Sequence, residues 1–581
     1  MVPVTSGTHT KCVTGPTVHS NMCVSFAEAL IPKSDVPDNQ IQRKAPQQPN
    51  HTHINRLPSP IKSEVFAREL SGYDPILYKS LLSGFREGFK LGVEGEKLQC
   101  NFGNAKNHKS ALENPDKVLE KLAKESLKSR IAGPFKNPPL KNFVCSPLGL
   151  VPKAVNGKFR LIHDLSYPKG NSVNSLIPPE NSEVKYDCID NVIKLVKYFG
   201  RDSYLGKTDV EDAFRNIDIH PSDYHLLGFT WNGFYYYDKC LPMGASSSCQ
   251  IFERFSCALQ WIMETKYQVA GMSHILDDFL FVGPPKSDKC QQDLDKFLTL
   301  CSKLGVPIKA EKTVQPTTVI TIYGIEVDSC NMECRLPQEK IDKVNKVLTS
   351  AKHRKKLKLR ELQSLIGLLN FACLVVRPGR PFLRRLIDLT RNITNPFYFV
   401  KLNCEARADL HAWSVFIQSL NGKSVFLSDN WISSDHLKLF TDASGNIGYA
   451  AVFGSWWFAN SWTKSLHCHQ IAVKELFPIV IALELWGKYM VNSKVLFLSD
   501  NQAVVDVLNI QSCRDKILMR LVRRLVLCTL SYNIVFRAKH IAGKSNIVAD
   551  KLSRFHFQKA RQVAPWLNLT PAEIPEHLLT I

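Results

Sequence analysis

The sequence predicts a multidomain protein that combines α/β and α+β units. Three observations carry this expectation. The chain has 581 residues, room for about four domains at roughly 150 residues each. Near residue 140 its texture changes from helical, basic sequence to short strands and turns. A second alternation of strands and helices starts near Leu437 and ends near Gln558. With 44% hydrophobic residues, such units can bury cores.

Residues 1–60 are rich in Pro, Ser, Thr, Asn and Gln and hold no lasting period. They read as a disordered segment, because such composition buries too little apolar surface to offset chain entropy. Residues 61–135 read as a helical, basic region with stretches such as Pro75-Ile76-Leu77-Tyr78 and Lys117-Val118-Leu119-Glu120. Residues 136–333 alternate strands and helices. Within them Leu148–Lys153 and Gly157–Leu165 read as a hairpin around Asn156-Gly157, a pair suited to tight hairpin turns. Residues 334–432 read as helical, with Leu336–Leu348 and Leu359–Leu374 the clearest segments. Residues 433–560 form the second α/β unit, and 561–581 a C-terminal tail.

Composition narrows the function classes. The 74 basic and 53 acidic residues leave a formal charge of +21, which points to a polyanionic partner. Seventeen cysteines are scattered without a CxxC pair. That speaks against a zinc module or a disulfide scaffold and for a reduced, intracellular protein, cytoplasmic or nuclear. The N-terminus has neither a basic n-region nor an apolar h-region, so no signal peptide is expected. The most apolar stretch, Ile471 to Trp486, carries Lys474, Glu475 and Glu484. It suits a buried helix better than a membrane span, and no membrane partner is expected.

Two constellations of acids carry the chemistry. The first joins Asp209, at the end of Leu205-Gly206-Lys207-Thr208-Asp209, to Asp277-Asp278 in Ile275-Leu276-Asp277-Asp278-Phe279-Leu280-Phe281. A bare Asp-Asp is common on solvated turns. Here apolar residues flank it on both sides, as at the tip of a buried hairpin, where two charges need a compensating cation. Acids on adjacent strands can hold two hard cations roughly 3.5–4 Å apart. The second constellation runs Asp442, Glu475, Asp500, Asp550, on a strand, a helix, a strand end and a helix start.

The first set, with Leu241-Pro242-Met243-Gly244 between its acids, resembles the palm of retroviral-type reverse transcriptases. The resemblance implies a right-hand polymerase of fingers, palm and thumb. It gives Asp209, Asp277 and Asp278 as the metal-binding triad, and Phe214 as the aromatic residue that excludes ribonucleotides. Met243 and Gly244 fall in the loop under the incoming nucleotide. Lys153 and Arg160 match fingers residues that grip the triphosphate, and Lys312 the residue that would protonate pyrophosphate. Many relatives have Gln where Met243 stands, and Arg where Ser166 stands.

The second set resembles ribonuclease H. That resemblance makes Asp442, Glu475, Asp500 and Asp550 ligands of a second metal pair, and gives His540, ten positions before Asp550, a proton-shuttle role. Residues 435–560 hold 16 Lys/Arg against 8 Asp/Glu, and Arg514, Lys516, Arg520, Arg523 and Arg524 suggest a helix that grips the hybrid. The implied cofactors are Mg²⁺ or Mn²⁺, two ions per site. The implied partners are an RNA template, a DNA primer, RNA–DNA hybrid and dNTPs.

Arg160-Leu161-Ile162-His163-Asp164-Leu165-Ser166, Arg380-Pro381-Phe382-Leu383-Arg384-Arg385-Leu386 and His540-Ile541-Ala542-Gly543-Lys544-Ser545-Asn546 look like DIRS-type retrotransposon polyproteins. A Gypsy-like relative is the alternative. Protease, integrase and zinc-knuckle patterns are not seen. A domesticated element, acting as a nucleic-acid scaffold or as a nuclease alone, is the second functional reading.

Overall fold

The structure, a computed structural model, describes residues 59–94, 105–152, 159–419, 423–425 and 430–580. The segment expected to be disordered, and the hairpin turn at Asn156-Gly157, lie outside these residues apart from Ser59 and Pro60. The chain divides into two compact units, the first drawing on 1–188, 206–281 and 288–316, the second on 189–205, 282–287 and 317–581.

The first unit is built on a four-stranded sheet. Its order is Met272–Ile275, Asp278–Gly283, Tyr204–Asp209, Val314–Thr317. The first two strands form a hairpin in which Ile275 faces Asp278, so Leu276 and Asp277 alone make the turn. Leu276 has φ 52°. Two-residue hairpin turns need a positive φ of this kind, and glycine adopts it most readily. Apolar side chains fix the sheet to the helix Lys289–Leu304: the Phe297 ring lies 4.7 Å from Phe279 and 5.4 Å from Phe281.

The basic N-terminal region turns out to be a brace. Phe66 and Phe85, from the helices Ser63–Glu69 and Pro75–Glu87, meet Phe255 of the helix Ser248–Thr265 at 5.6 and 5.2 Å. The helix Pro115–Leu127 buries Val118 and Leu122 in a cluster with Leu148, Leu150, Phe229 and Trp231. That cluster joins the hairpin Leu148–Pro152/Phe159–His163 to the sheet Ile131–Phe135, Phe234–Asp238, Gly228–Trp231. In the hairpin Leu148 pairs with His163 and Pro152 with Phe159.

The second unit begins with a sheet of Val319–Ile322, Ile325–Asp328, Glu333–Arg335 and Lys423–Val425. The helices Gln338–Lys352, Leu359–Ala372 and Cys404–Ser419 follow or interleave it. Next come two three-stranded sheets. One is antiparallel, Leu439–Ala443, Gly448–Phe453, Trp456–Ser461. The other is parallel, Ile432–Ser433, Lys494–Ser499, Val535–His540. The helix Ile471–Trp486 is buried along most of its length. Among the described residues no helix is long and apolar enough to cross a membrane.

The segment expected to be a tail is packed. Ala564 and Leu567 share a core with Ala450, Val452, Trp457 and Leu552. The Trp457 indole N–H donates to the Asn568 carbonyl at 2.8 Å.

Candidate active sites

Asp209 ends its strand almost fully buried. The Val210 N–H donates to the Asp277 carbonyl at 3.1 Å, and the Lys309 N–H to the Asp209 carbonyl at 2.9 Å. These bonds fix the hairpin tip beside the strand end. Burial, then the Asp209 charge, pushes Asp277 up to about 6. The same two causes raise Asp278. Carboxylates that resist ionisation have been gathered against their mutual repulsion.

Lys312 donates to the Asp209 carboxylate. Burial lowers its pKa, but that bond and the charges of Asp209, Asp277 and Asp278 outweigh it and hold it above its ordinary value. Lys312 therefore belongs to the acidic cluster itself.

Phe214 sits in the short helix Ala213–Asn216, half buried, its ring 5.1 Å from Phe252. One face packs in the core while part of the ring stays open. Beside its turn, Lys128, Arg130, Asp212 and Asn216 line a cavity of about 300 Å³. Lys128 and Arg130 reach Asp212 at 2.7 and 2.8 Å. Burial would raise Asp212, but these two cations hold it well below the usual range.

Met243 is exposed and Gly244 is pinned. A Cβ on Gly244 would lie 2.0 Å from the His163 carbonyl oxygen, so only glycine fits there. Asn174 clamps the loop: its amide donates to Gly244 O at 2.8 Å and accepts from Ser246 N at 2.9 Å. It also donates to Ser166 Oγ at 2.8 Å. Arg160 is exposed, opposite Val151 in the hairpin. Lys153 lies outside the described residues.

In the second unit Asp442 is buried on its strand and accepts from Ser553 Oγ at 2.5 Å. Burial pushes it up to about 6, and the charges of Asp550 and Asp500 add to this. Burial, then Asp442 and Asp500, pushes Glu475 up to about 9. Asp500 follows the strand Lys494–Ser499, in register with His540 on the parallel strand through Ser499. Asp550 accepts from Arg554 Nε at 2.8 Å. The four acids thus share one electrostatic neighbourhood.

His540 is exposed, and its Nε2 meets the Asp500 carbonyl at 3.0 Å. The turn after it closes on the same acid, where a Cβ on Gly543 would lie 2.9 Å from Asp500 Oδ2. Asn546 donates to the Thr441 carbonyl at 2.8 Å, tying the start of the helix Ile547–Ser553 to the strand Leu439–Ala443. Ser553 and Asn546 were not foreseen, since their partners stand over a hundred positions away.

The proposed basic grip needs correction. Arg523 is buried, 3.3 Å from Asp409, and Arg524 pairs with Glu484 at 2.5 Å. The helix Lys516–Ser531 turns its apolar face and these two arginines inward. Only Arg514, Lys516 and Arg520 of the five are exposed.

Part of the chain is similar to a known family. Residues 151–339 match the family described as Reverse transcriptase (RNA-dependent DNA polymerase). That stretch is similar to reverse transcriptases. The matched stretch contains Asp209, Asp277, Asp278, Phe214, Gly244 and Lys312, whereas Asp442, Glu475, Asp500 and Asp550 lie beyond it. The chain is 25% identical over 396 residues to the "Putative enzymatic polyprotein" of Cassava vein mosaic virus, covering 64% of this chain and 56% of that protein. It is 23% identical over 232 residues to the "Gag-Pro-Pol polyprotein" of Mouse mammary tumor virus, covering 38% and 12%. The chain therefore spans about half of the first polyprotein and far less of the second. Among solved structures, a foamy viral protease-reverse transcriptase in complex with RNA/DNA hybrid aligns over 82% of this chain and 62% of that one, at 16% identity and TM-score 0.43.

Proposed function

We propose that the chain is an RNA-directed DNA polymerase whose second unit is a ribonuclease H, from a retrotransposon of DIRS type. The observation that carries the reading is the pair of acid clusters. Seven carboxylates converge in two places, and in each the burial and charge of neighbours resist ionisation. A nucleic-acid scaffold has no use for that arrangement.

Both donor sets are all-oxygen and suit hard divalent cations such as Mg²⁺ or Mn²⁺. Asp209, Asp277 and Asp278 would hold one pair, and Asp442, Glu475, Asp500 and Asp550 the other. When bound, such ions supply charge neutralisation on the phosphate oxygens. The chain's own residues do the positioning. Phe214 offers a ring face to the sugar edge of the incoming dNTP. Gly244, held by Asn174 against the Phe159–His163 strand, keeps the loop close to the template base pair. Arg160 and Lys153 meet the triphosphate, where Arg suits paired phosphate oxygens. Lys312, on the Asp209 carboxylate, is placed to give a proton to pyrophosphate. In the second unit His540 sits on the Asp500 carbonyl, where it can pass a proton to or from the cleaved strand.

The test is primer extension on a homopolymer RNA template with Mg²⁺. The parent should extend, and Asp277→Asn should lose several orders of magnitude, since positioning and charge neutralisation dominate phosphoryl transfer. Normal extension by the variant would overturn the palm assignment.

A further inference from the structure

Three side chains of the first unit form a cluster that neither acidic site uses. Glu253 and Cys257 lie one turn apart on the helix Ser248–Thr265, so they share a helix face. His274 faces them from the strand Met272–Ile275. Its Nε2 is 3.4 Å from Glu253 Oε1 and 3.8 Å from Cys257 Sγ. One donor atom from each of the three lies within 4.8 Å of the other two.

These separations match a known coordination geometry. With metal bonds of about 2.0–2.1 Å to nitrogen and oxygen and about 2.3 Å to sulfur, tetrahedral edges come to roughly 3.4 Å for N···O and 3.6 Å for N···S. His274 Nδ1 meets the Gln260 side-chain oxygen at 2.5 Å. A ring nitrogen held this way keeps its proton and leaves the other nitrogen to face a metal. Glu253 and His274 are buried, while Cys257 is exposed. The cluster is thus walled on the protein side and open to solvent on the thiol side, which leaves room for a fourth ligand.

The same cluster touches the catalytic hairpin. The second Glu253 oxygen accepts the Leu276 N–H at 2.9 Å, and Ser256 Oγ donates to the Leu276 carbonyl at 2.8 Å. Leu276 is the residue with φ 52° that precedes Asp277.

We infer that Glu253, Cys257 and His274 form a binding site for Zn²⁺, a cation that accepts sulfur, nitrogen and oxygen together, behind the turn that carries Asp277 and Asp278. The mixed donor set distinguishes it from the two all-oxygen clusters, which suit Mg²⁺. Binding releases the thiol proton, and the Nε2 proton where His274 is charged, to solvent. A cation here fixes Glu253, and through the Leu276 N–H it fixes the strained turn. The competing arrangement is an ion pair between Glu253 and a His274 imidazolium. Burial disfavours that imidazolium, but hydrogen bonds to Cys257 and Glu253 push its pKa up to about 9.

The experiment is Co²⁺ titration of the full chain, read by the sulfur-to-cobalt charge-transfer band in the near ultraviolet. The parent should develop the band to one equivalent, and Zn²⁺ should displace it. Cys257→Ser should abolish it while leaving the circular dichroism unchanged, since Cys257 is exposed. Replacing the exposed Cys188, Cys404 and Cys468 should leave it intact. With Mg²⁺ in excess to fill the two all-oxygen clusters, Zn²⁺ should also raise the melting temperature of the parent more than that of Cys257→Ser. A band that survives in Cys257→Ser, or its absence from the parent, would overturn the site and leave the ion pair. Neither readout needs polymerase activity, so failure here is distinguishable from failure of the palm assignment.

Discussion

A carboxylate among carboxylates is unstable in proportion to how far it is kept from water. Glu475 shows this most strongly, pushed from an ordinary 4.5 up to about 9 by burial, then by Asp442 and Asp500. The sign of its effect on stability follows from linkage. Between those two values the folded chain holds a proton that the unfolded chain has released, so stability falls as pH rises through the window. Glu475→Gln removes that loss. In EDTA the variant should therefore gain melting temperature over the parent, little near pH 5 and most near pH 9. Each pKa unit is about 1.4 kcal/mol, so the gain at the upper end should exceed about 1 kcal/mol. Mg²⁺ should reverse the ranking by binding the parent. Melting curves at both ends of the window check this, and a gain that does not grow with pH would remove Glu475 from the cluster. At Phe214 the half-buried ring allows a different test. Phe214→Ala should raise ribonucleotide over deoxyribonucleotide incorporation on the order of tenfold, the scale of one lost apolar contact. An unchanged ratio would leave Phe214 as a core residue packed on Phe252.

At the scale of elements, side chains that read alike in sequence part company in the structure. Arg520 and Arg523 sit three residues apart on the helix Lys516–Ser531, yet Arg520 is exposed and Arg523 lies on buried Asp409. Arg385 also reaches Asp409, at 3.3 Å. Breaking a buried pair strands a charge, which typically costs about 3–5 kcal/mol, less where a second cation remains. Arg523→Ala should therefore lower unfolding stability by about 2–4 kcal/mol, and Arg520→Ala by no more than about 0.5 kcal/mol. Equal effects in denaturant titrations would contradict the buried pair. Local sequence could not separate these arginines, because Asp409 is over a hundred residues away. The same reason hid the N-terminal brace, where Phe66 and Phe85 wait for Phe255, and the role of Asn174, in the short helix Val173–Leu176, whose partners Gly244 and Ser246 stand some seventy residues on. What was legible had a local cause. The run Ile471 to Trp486 is apolar apart from Lys474, Glu475 and Glu484 and forms one buried helix. The alternating residues of Leu148–Pro152 and Phe159–His163 pair as a hairpin. Apolar flanks on both sides of Asp277-Asp278 set that pair at a hairpin tip, although the positive φ at Leu276 carried no glycine to announce it.

For the whole molecule, the two acid clusters fall in separate compact units, one inside the stretch that matches the reverse transcriptase family and one beyond its end. Their acids were legible because each sits at the end or on the face of an element with a strong apolar signal. The surrounding Ser553, Asn546 and Arg554 had no such signal. Sites without shared partners act independently, so substitutions in one should leave the other's chemistry alone. Asp500 sits where the strand Lys494–Ser499 ends, and its charge helps push Glu475 and Asp442 up. Asp500→Asn should abolish cleavage of labelled RNA in an RNA–DNA hybrid, while primer extension stays within about twofold of the parent, the scatter expected of distant sites. Asp277→Asn should give the opposite pattern. Removing one charge also relieves its neighbours, so Asp500→Asn should melt no lower than the parent in EDTA. Hybrid cut equally by Asp500→Asn, or cut by the parent in EDTA, would rule out a metal-dependent nuclease at Asp442, Glu475, Asp500 and Asp550.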